Sequence, residues 1–460
     1  MFGLTLPKLV QDGMFMDAML YTSVAHNLSQ GIGDFWFPQF SHNNMAGLSS
    51  FHEQPPLGFG MQAVFFKLLG DSMYVERLYT FLTMCLTALL IVLIWAEIYK
   101  EKVPIKKIGW LPLFLWITIP VCFWSYANNM LENTMGVFTL FSVWMLYKGL
   151  NGSGNAISCF LIAGLSIFLA TLSKGFPGFF PWAVPFLFWA IINRKGRVKL
   201  IISSTIIVLV PAILYFILYY FPTSRESLSL YLFKRAFVRI SEDPTVGNRF
   251  YIMYRLLSEL VPQMVMVGIV LLVAHFKKID GELKKYFRLS LFFIGIGLAA
   301  SLPLMLTMVQ KGFYFVPALP YFAIGFSIII APAVVSLTER VNLSGRRYKA
   351  ALVAGVAIWA GVIVFTATRV GKIHRDGDTL NDVFNIGRVV PKQSVIRASN
   401  QAWNNWSLQC YLMRYYNISL DPENAYDYLL VEKNERPDSV YKMMDIPTKQ
   451  YDLYQLKQVK

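Results

Sequence analysis

Ten runs of apolar residues, each about 17 to 24 residues long, fill most of the chain from residue 75 to residue 368. They lie near 75–98, 110–127, 134–150, 156–173, 176–192, 199–221, 256–275, 288–308, 314–337 and 350–368. Coiled as helices, such runs have the ~30 Å reach of a bilayer's hydrocarbon core. Ahead of them, residues 12–57 form a polar stretch rich in Asp, Asn, His, Trp and Pro, longer than a link between two helices needs. Within it, residues 15–30 pattern as a helix lying along the membrane surface, with Ala18, Val24, Ala25 and Leu28 on its buried side. Past residue 368 the long runs stop. There 24 of the last 92 residues are charged, against 45 of the preceding 368, a shift that marks a small water-exposed domain. In that domain 394–398 reads as a short strand, and 403–416 carries Trp403, Trp406, Cys410, Tyr411 and Arg414 at helical spacing. Residues 428–431 read as a buried strand and 451–459 as a last alternating one. The pattern thus predicts a first outer loop with interfacial helices over 1–74, a transmembrane helical domain over 75–368 and a small soluble α/β domain over 369–460.

Composition agrees with the pattern. Of the 460 residues 55% are hydrophobic and 15% charged, where a soluble domain has about 45–50% and about 25%. A net charge of +15 would suggest nucleic acid in a soluble protein. Here the basic residues cluster between apolar runs, so charge reports topology and no nucleic-acid partner is expected. Lys100, Lys102, Lys106 and Lys107 form one cluster, and Arg194, Lys195, Arg197 and Lys199 the next. Lys277, Lys278, Lys284, Lys285 and Arg288 form a third, and Arg340, Arg346, Arg347 and Lys349 a fourth. Placing these loops in the cytoplasm puts both chain ends, the polar stretch and the C-terminal domain outside; the loop over 222–255, with six basic residues, is an outer exception. An outside start needs a signal or a preceding span, and residues 1–16 hold neither. Met1 is therefore expected to lie inside a longer natural protein with a further helix before it, the alternative being a short translocated tail. Cys85, Cys122 and Cys159 sit in apolar runs and Cys410 stands alone in a polar region, which argues against a disulfide framework, a metal site or redox chemistry.

The polar residues at the outer ends of the spans are the candidates for chemistry. Asp17 and Tyr21 are four apart and share a helix face; alternatively Asp17 is a solvated acid favoured near a helix start. Asp12 precedes a glycine and reads as a turn residue. Pro55 and Pro56 stiffen the chain and fix the direction of Glu53 and Gln54, although a plain membrane-entry turn would also use prolines. Glu132 lies at the start of a span, where an acid is costly unless solvated or paired, and so marks a functional site or a loop-exposed residue. Lys174 and Lys311 each put a single cation at an outer span end, suited to an anionic headgroup or to anchoring alone.

In order and spacing these elements resemble the GT-C glycosyltransferases, in the bacterial branch similar to protein O-mannosyltransferases and the lipid A aminoarabinose transferase. Asp17 and Tyr21 match the family's Asp and Tyr, residues 53–57 its Glu-Lys-Pro-Pro-Leu, and Arg77 its Arg after a Gly-Asp-Ser stretch. Glu132 stands where the family has a second acid, Ser173-Lys174-Gly175 looks like its Thr-Lys-Gly, and residues 311–320 like its Lys, Tyr, Pro, Pro signature. The resemblance covers about residues 12–325. Gln54 departs from it, standing where the family has a phosphate-contacting Lys.

The resemblance implies a polytopic α-helical membrane protein of GT-C type with about ten transmembrane helices and an extracytoplasmic α/β domain. It implies transfer of a sugar, with inversion, from a polyprenyl-phosphate donor to a hydroxyl of a lipid, glycan or protein acceptor, on the outer side of a bacterial inner membrane and without a cofactor. It assigns catalysis to Asp17, Glu53 and Glu132, and donor-phosphate or substrate contact to Tyr21, Gln54, Arg77, Lys174, Lys311 and Tyr314. The rival class is a transporter or flippase of a lipid-linked sugar. Transporters show paired repeats and a midplane site; here no repeat is visible and the acids lie at the outer boundary.

Overall fold

The structure, a computed structural model, describes residues 1–45, 48–240, 244–277, 283–433, 435–437 and 440–457. Lys278 and Val459, which figure in the orientation cluster and the last strand expected from sequence, lie outside the described residues. The chain divides into two compact units. One comprises Met1–Pro7, Thr80–Ala127 and Leu131–Thr368; the other comprises Lys8–Tyr79, Asn128–Met130 and Arg369–Lys460.

The first unit is helical, and among the described residues seven helices are long and apolar enough to cross a membrane: Tyr74–Ile98, Ala156–Lys174, Arg197–Tyr220, Tyr251–Phe276, Lys285–Leu306, Gly312–Glu339 and Arg346–Ala367. The pair Val103–Ile117 and Pro120–Ala127, bent by 82°, makes an eighth if it counts as one span; the bend falls at Pro120, whose ring blocks a continuous helix. Two of the ten expected spans do not qualify. Leu131–Asn151 is a helix of 21 residues carrying Glu132, Asn133, Thr134, Thr139, Ser142 and Lys148, and protein covers most of it, so it need not be apolar all round. Phe176–Ile192 breaks into 3₁₀, α and π turns, because Pro177, Pro181 and Pro185 remove one backbone donor per turn. Burial sorts the rest. Gly312–Glu339 is 83% buried over its apolar window and is a core helix, whereas no residue of Arg346–Ala367 is buried and its Leu, Val and Ile side chains face outward as a lipid-exposed helix does. Glycines let Leu283–Ser301 and Leu319–Glu339 press together: a Cβ on Gly297 would lie 2.7 Å from the Phe322 ring and one on Gly325 2.7 Å from Ile294.

The second unit holds helix Met16–Ser29, helix Leu57–Leu69 and a five-stranded mixed sheet of β1 (Val395–Ala398), β2 (Ser419–Asp421), β3 (Tyr428–Glu432), β4 (Tyr441–Met443) and β5 (Tyr451–Leu456) in the order β2-β1-β3-β5-β4. Strand β1 runs parallel to β2 and β3, and β5 antiparallel to β3 and β4. Helix Trp406–Tyr416 makes the crossover from β1 to β2. Asn405 caps its start by accepting from Leu408 N–H, and Asn417 ends it in the left-handed conformation, φ 55°. The small α/β domain expected from sequence is therefore present. Strands β2 and β4, three residues each, are too short to show alternation, and helix Gly377–Ile386 was likewise not expected. Helix Met16–Ser29 falls within the predicted 15–30, but residues 18–27 are all buried, so it is enclosed on every side and does not lie with one face in water.

Candidate functional site

The sequence-predicted residues fall in both units: Asp17, Tyr21, Glu53, Gln54 and Arg77 in one, Glu132, Lys174, Lys311 and Tyr314 in the other. Each group is built from its own elements.

In the unit with the sheet, the chain enters the helix of Asp17 under tight control. Asp12 is not the simple turn residue its neighbouring glycine suggests. It is buried, its Oδ1 accepts from Gly13 N–H at 2.7 Å and from the Tyr415 hydroxyl at 2.6 Å, and Arg77 Nη2 stands 3.7 Å away. Its backbone pairs with the chain at Ile373: Asp12 N–H donates to Lys372 O at 2.8 Å, and His374 N–H donates to Asp12 O at 2.9 Å. The Tyr411 hydroxyl accepts from Met14 N–H at 3.1 Å and lies 3.0 Å from both Met14 O and Asp376 Oδ2, its possible acceptors. Phe15 N–H donates to Asn128 Oδ1 at 2.8 Å. Gly13 allows this path. Its φ is +85°, and a Cβ there would lie 2.4 Å from Arg375 O. Gly13→Ala is therefore expected to cost at least the ~1–3 kcal/mol of a strained backbone position, read as a lowered thermal midpoint; an unchanged midpoint would show that the entry segment is not held as described.

Asp17 then sits half-buried in the first helical turn, where the helix field favours its charge. Tyr21, one turn on, is buried with its ring 6.0 Å from Phe59 of helix Leu57–Leu69. That helix starts directly after Pro55 and Pro56 and leaves Glu53 and Gln54 buried in the preceding loop. Asn129 Nδ2 joins the two helices by donating to Thr22 Oγ1 at 3.0 Å and to Gln62 Oε1 at 2.8 Å. His52, adjoining Glu53, contacts Ser50 Oγ at 2.7 Å through Nε2, and burial lowers its pKa to about 4. The unfolded chain takes up that proton near pH 6.5, so His52 contributes stability that is lost as pH falls from about 6.5 toward 4. A His52→Gln variant is expected to flatten this part of the midpoint-against-pH curve; an identical slope in the variant would remove His52 as its source.

Sequence reasoning missed a second ionic group in this unit. Arg414, fully buried, donates from Nη1 to Asp71 Oδ1 at 2.8 Å and from Nη2 to Glu76 Oε2 at 3.0 Å and to Ser72 O at 3.1 Å. Its guanidinium lies 4.8 Å from the Phe66 ring centroid. His26 Nε2 approaches Asp71 Oδ1 at 2.7 Å. Burial pushes the Asp71 pKa up, but His26 and Arg414 together hold it below the usual carboxylate range.

In the helical unit the acid and the cation meet. Glu132, fully buried in the first turn of Leu131–Asn151, pairs with Lys174, the last residue of Ala156–Lys174, at 2.8 Å between Oε1 and Nζ. Lys174 is thus not the lone cation its sequence position suggests, because its 7% exposed ammonium needs a counter-ion. The same ammonium lies 5.7 Å from the ring centroid of Tyr314. Gly175 turns the chain away at φ +77°, and a Cβ there would lie 1.7 Å from the Tyr231 hydroxyl. Lys311 is exposed at the edge of the 3₁₀ turn Gly312–Ala318. Next to it Gln310 is buried, accepting from Ile252 N–H at 2.9 Å and donating to Thr307 O at 2.8 Å and Arg249 O at 3.0 Å. Among the described residues, no three His, Cys, Asp or Glu side chains converge as metal ligands do.

The fold is of the GT-C glycosyltransferase type, in a multi-pass membrane protein. ArnT from Cupriavidus metallidurans bound to undecaprenyl phosphate superposes with a TM-score of 0.66 at 11% identity, over 98% of this chain and 95% of that one. Its apo state gives 0.63 at the same identity and coverage. The archaeal oligosaccharyltransferase AglB from Archaeoglobus fulgidus, in complex with an inhibitory peptide and a dolichol-phosphate, gives 0.47 at 12% identity, over 90% of this chain and 65% of that one. Residues 53–224 match the family described as dolichyl-phosphate-mannose-protein mannosyltransferase, so the chain resembles the family the sequence motifs point to. No curated protein matches the sequence.

Proposed function

We infer that the protein is a membrane glycosyltransferase moving a sugar from a polyprenyl-phosphate carrier to an acceptor hydroxyl. The observation that carries this reading is the mannosyltransferase-family match, which runs from Glu53 through Glu132 and past Lys174. Polyprenyl phosphate departs as a phosphate monoester and needs no proton, so the acid and base pair of a glycoside hydrolase reduces to one base. Asp17 takes the acceptor's proton, with Tyr21 and Glu53 holding the geometry around it. Glu132 positions the base or the acceptor, and Lys174, Lys311, Tyr314, Gln54 and Arg77 serve the donor phosphate or substrate. Arg77 suits this role: it is buried, and none of its three guanidinium nitrogens hydrogen-bonds to the protein among the described residues. The lipid, glycan or protein acceptor is met on the outer side of a bacterial inner membrane, and reaction proceeds with inversion.

The test supplies the purified protein with a polyprenyl-phosphate sugar and candidate acceptors and measures free polyprenyl phosphate. Acceptor-dependent release supports transfer. Movement of intact donor across a vesicle membrane without release would replace it with the flippase reading.

A further inference from the structure

The sheet of the C-terminal domain reverses direction at β1. From β1 the chain crosses to β2 on one side, and β3 then pairs with the other side of β1, all three strands being parallel. In open α/β sheets, the crevice outside the carboxyl ends of the strands at such a reversal is where ligands bind. A cleft of about 660 Å³ opens at this point, within the ~300–1,000 Å³ range of small-molecule sites. Its lining includes the carboxyl ends of all three parallel strands: Ala398 and the residues after it, Pro422 after β2, and Val431 and Glu432 of β3 with Lys433 after it.

The lining chemistry is selective. Lys433 is already engaged through its ammonium by Thr448 O. Arg397 and Arg436 have no carboxylate partner among the described residues, and a guanidinium is the group best shaped to receive a phosphate or carboxylate by two parallel hydrogen bonds. Asn400 and Gln401 add carboxamides, and Glu432 and Glu435 add acceptors, the complement needed by a ring of hydroxyls. The two carboxylates oppose a bare polyanion. Among the described residues no aromatic ring lines the cleft, so a nucleobase would have nothing there to stack on.

We propose that this cleft binds an acidic saccharide, a sugar ring bearing phosphate or carboxylate, at a site separate from the transfer chemistry. Arg397 and Arg436 hold the anion, while Asn400, Gln401, Glu432 and Glu435 read the hydroxyls. The site stands whether or not the protein transfers sugar.

Its test is calorimetric titration of the full chain in detergent micelles with glucose 6-phosphate, glucose and inorganic phosphate. Glucose 6-phosphate is expected to bind saturably, one per chain, and more tightly than either comparator. Arg397→Gln combined with Arg436→Gln should weaken it at least about tenfold, the loss of roughly one charge-assisted hydrogen bond. Gln401→Ala should weaken glucose 6-phosphate and leave phosphate unchanged, and it decides the matter if the arginine variant does not fold. Asp17→Asn should leave binding intact. The proposal is overturned by absence of saturable binding, by unchanged affinity in the folded variants, by inorganic phosphate binding as tightly as the sugar phosphate, or by displacement with polyprenyl phosphate, which would place the probe in the donor site.

Discussion

Asp17→Asn is expected to reduce acceptor-dependent release of polyprenyl phosphate by roughly 10²–10⁴-fold, the contribution of a positioned general base, while the protein folds as before. The asparagine keeps the shape of the side chain and removes the one function assigned to it. The fold should tolerate the change because the path into the helix is fixed by other groups: Asp12 by Gly13 N–H and the Tyr415 hydroxyl, Met14 by Tyr411, and Phe15 by Asn128. Loss of a carboxylate from a first helical turn costs only about 0.3–1 kcal/mol. Asp12→Asn supplies the contrast, since Asp12 is the buried acid facing Arg77 and its loss should show first as a lowered thermal midpoint. Release by the Asp17 variant within twofold of the parent protein would end the assignment of Asp17 as base, whatever the donor proves to be.

The difference between Asp12 and Asp17 shows what was legible in the chain. Helix Met16–Ser29, most of the membrane spans and three of the strands follow from local pattern, because apolar periodicity and turn chemistry are short-range properties. Burial that depends on distant chain is not written locally. Asp12 looked like a turn because its partner Tyr415 is 403 residues away. Arg414 finds Glu76 across 338 residues and Asp71 across 343. One signal could have revealed that network: Arg414 stands at helical spacing with Trp403, Cys410 and Tyr411, and a cation on an apolar helix face must be matched by an acid somewhere. The two rejected spans fail for the converse reason. Hydropathy counts apolar residues without asking whether lipid or protein covers them, so the protein-covered Leu131–Asn151 and the proline-broken 176–192 read as ordinary spans.

Lys174→Met is expected to destabilise the helical unit by about 3–5 kcal/mol, because it leaves Glu132 as a buried charge without its lysine counter-ion. The pair itself need not be worth that much: two charges drawn out of water repay most of their attraction in lost hydration, so removing both at once should be close to neutral. The combination Lys174→Met with Glu132→Gln is therefore expected to recover most of the thermal midpoint lost by Lys174→Met alone. Activity should not follow stability back. If Lys174 meets the donor phosphate and Glu132 positions the base or the acceptor, the double variant is folded yet transfers sugar at a small fraction of the parent rate, with donor affinity reduced. A double variant that regains both midpoint and turnover would make the pair a structural device of the fold, and the phosphate contact would then pass to Arg77, whose buried guanidinium makes no hydrogen bond to the protein among the described residues.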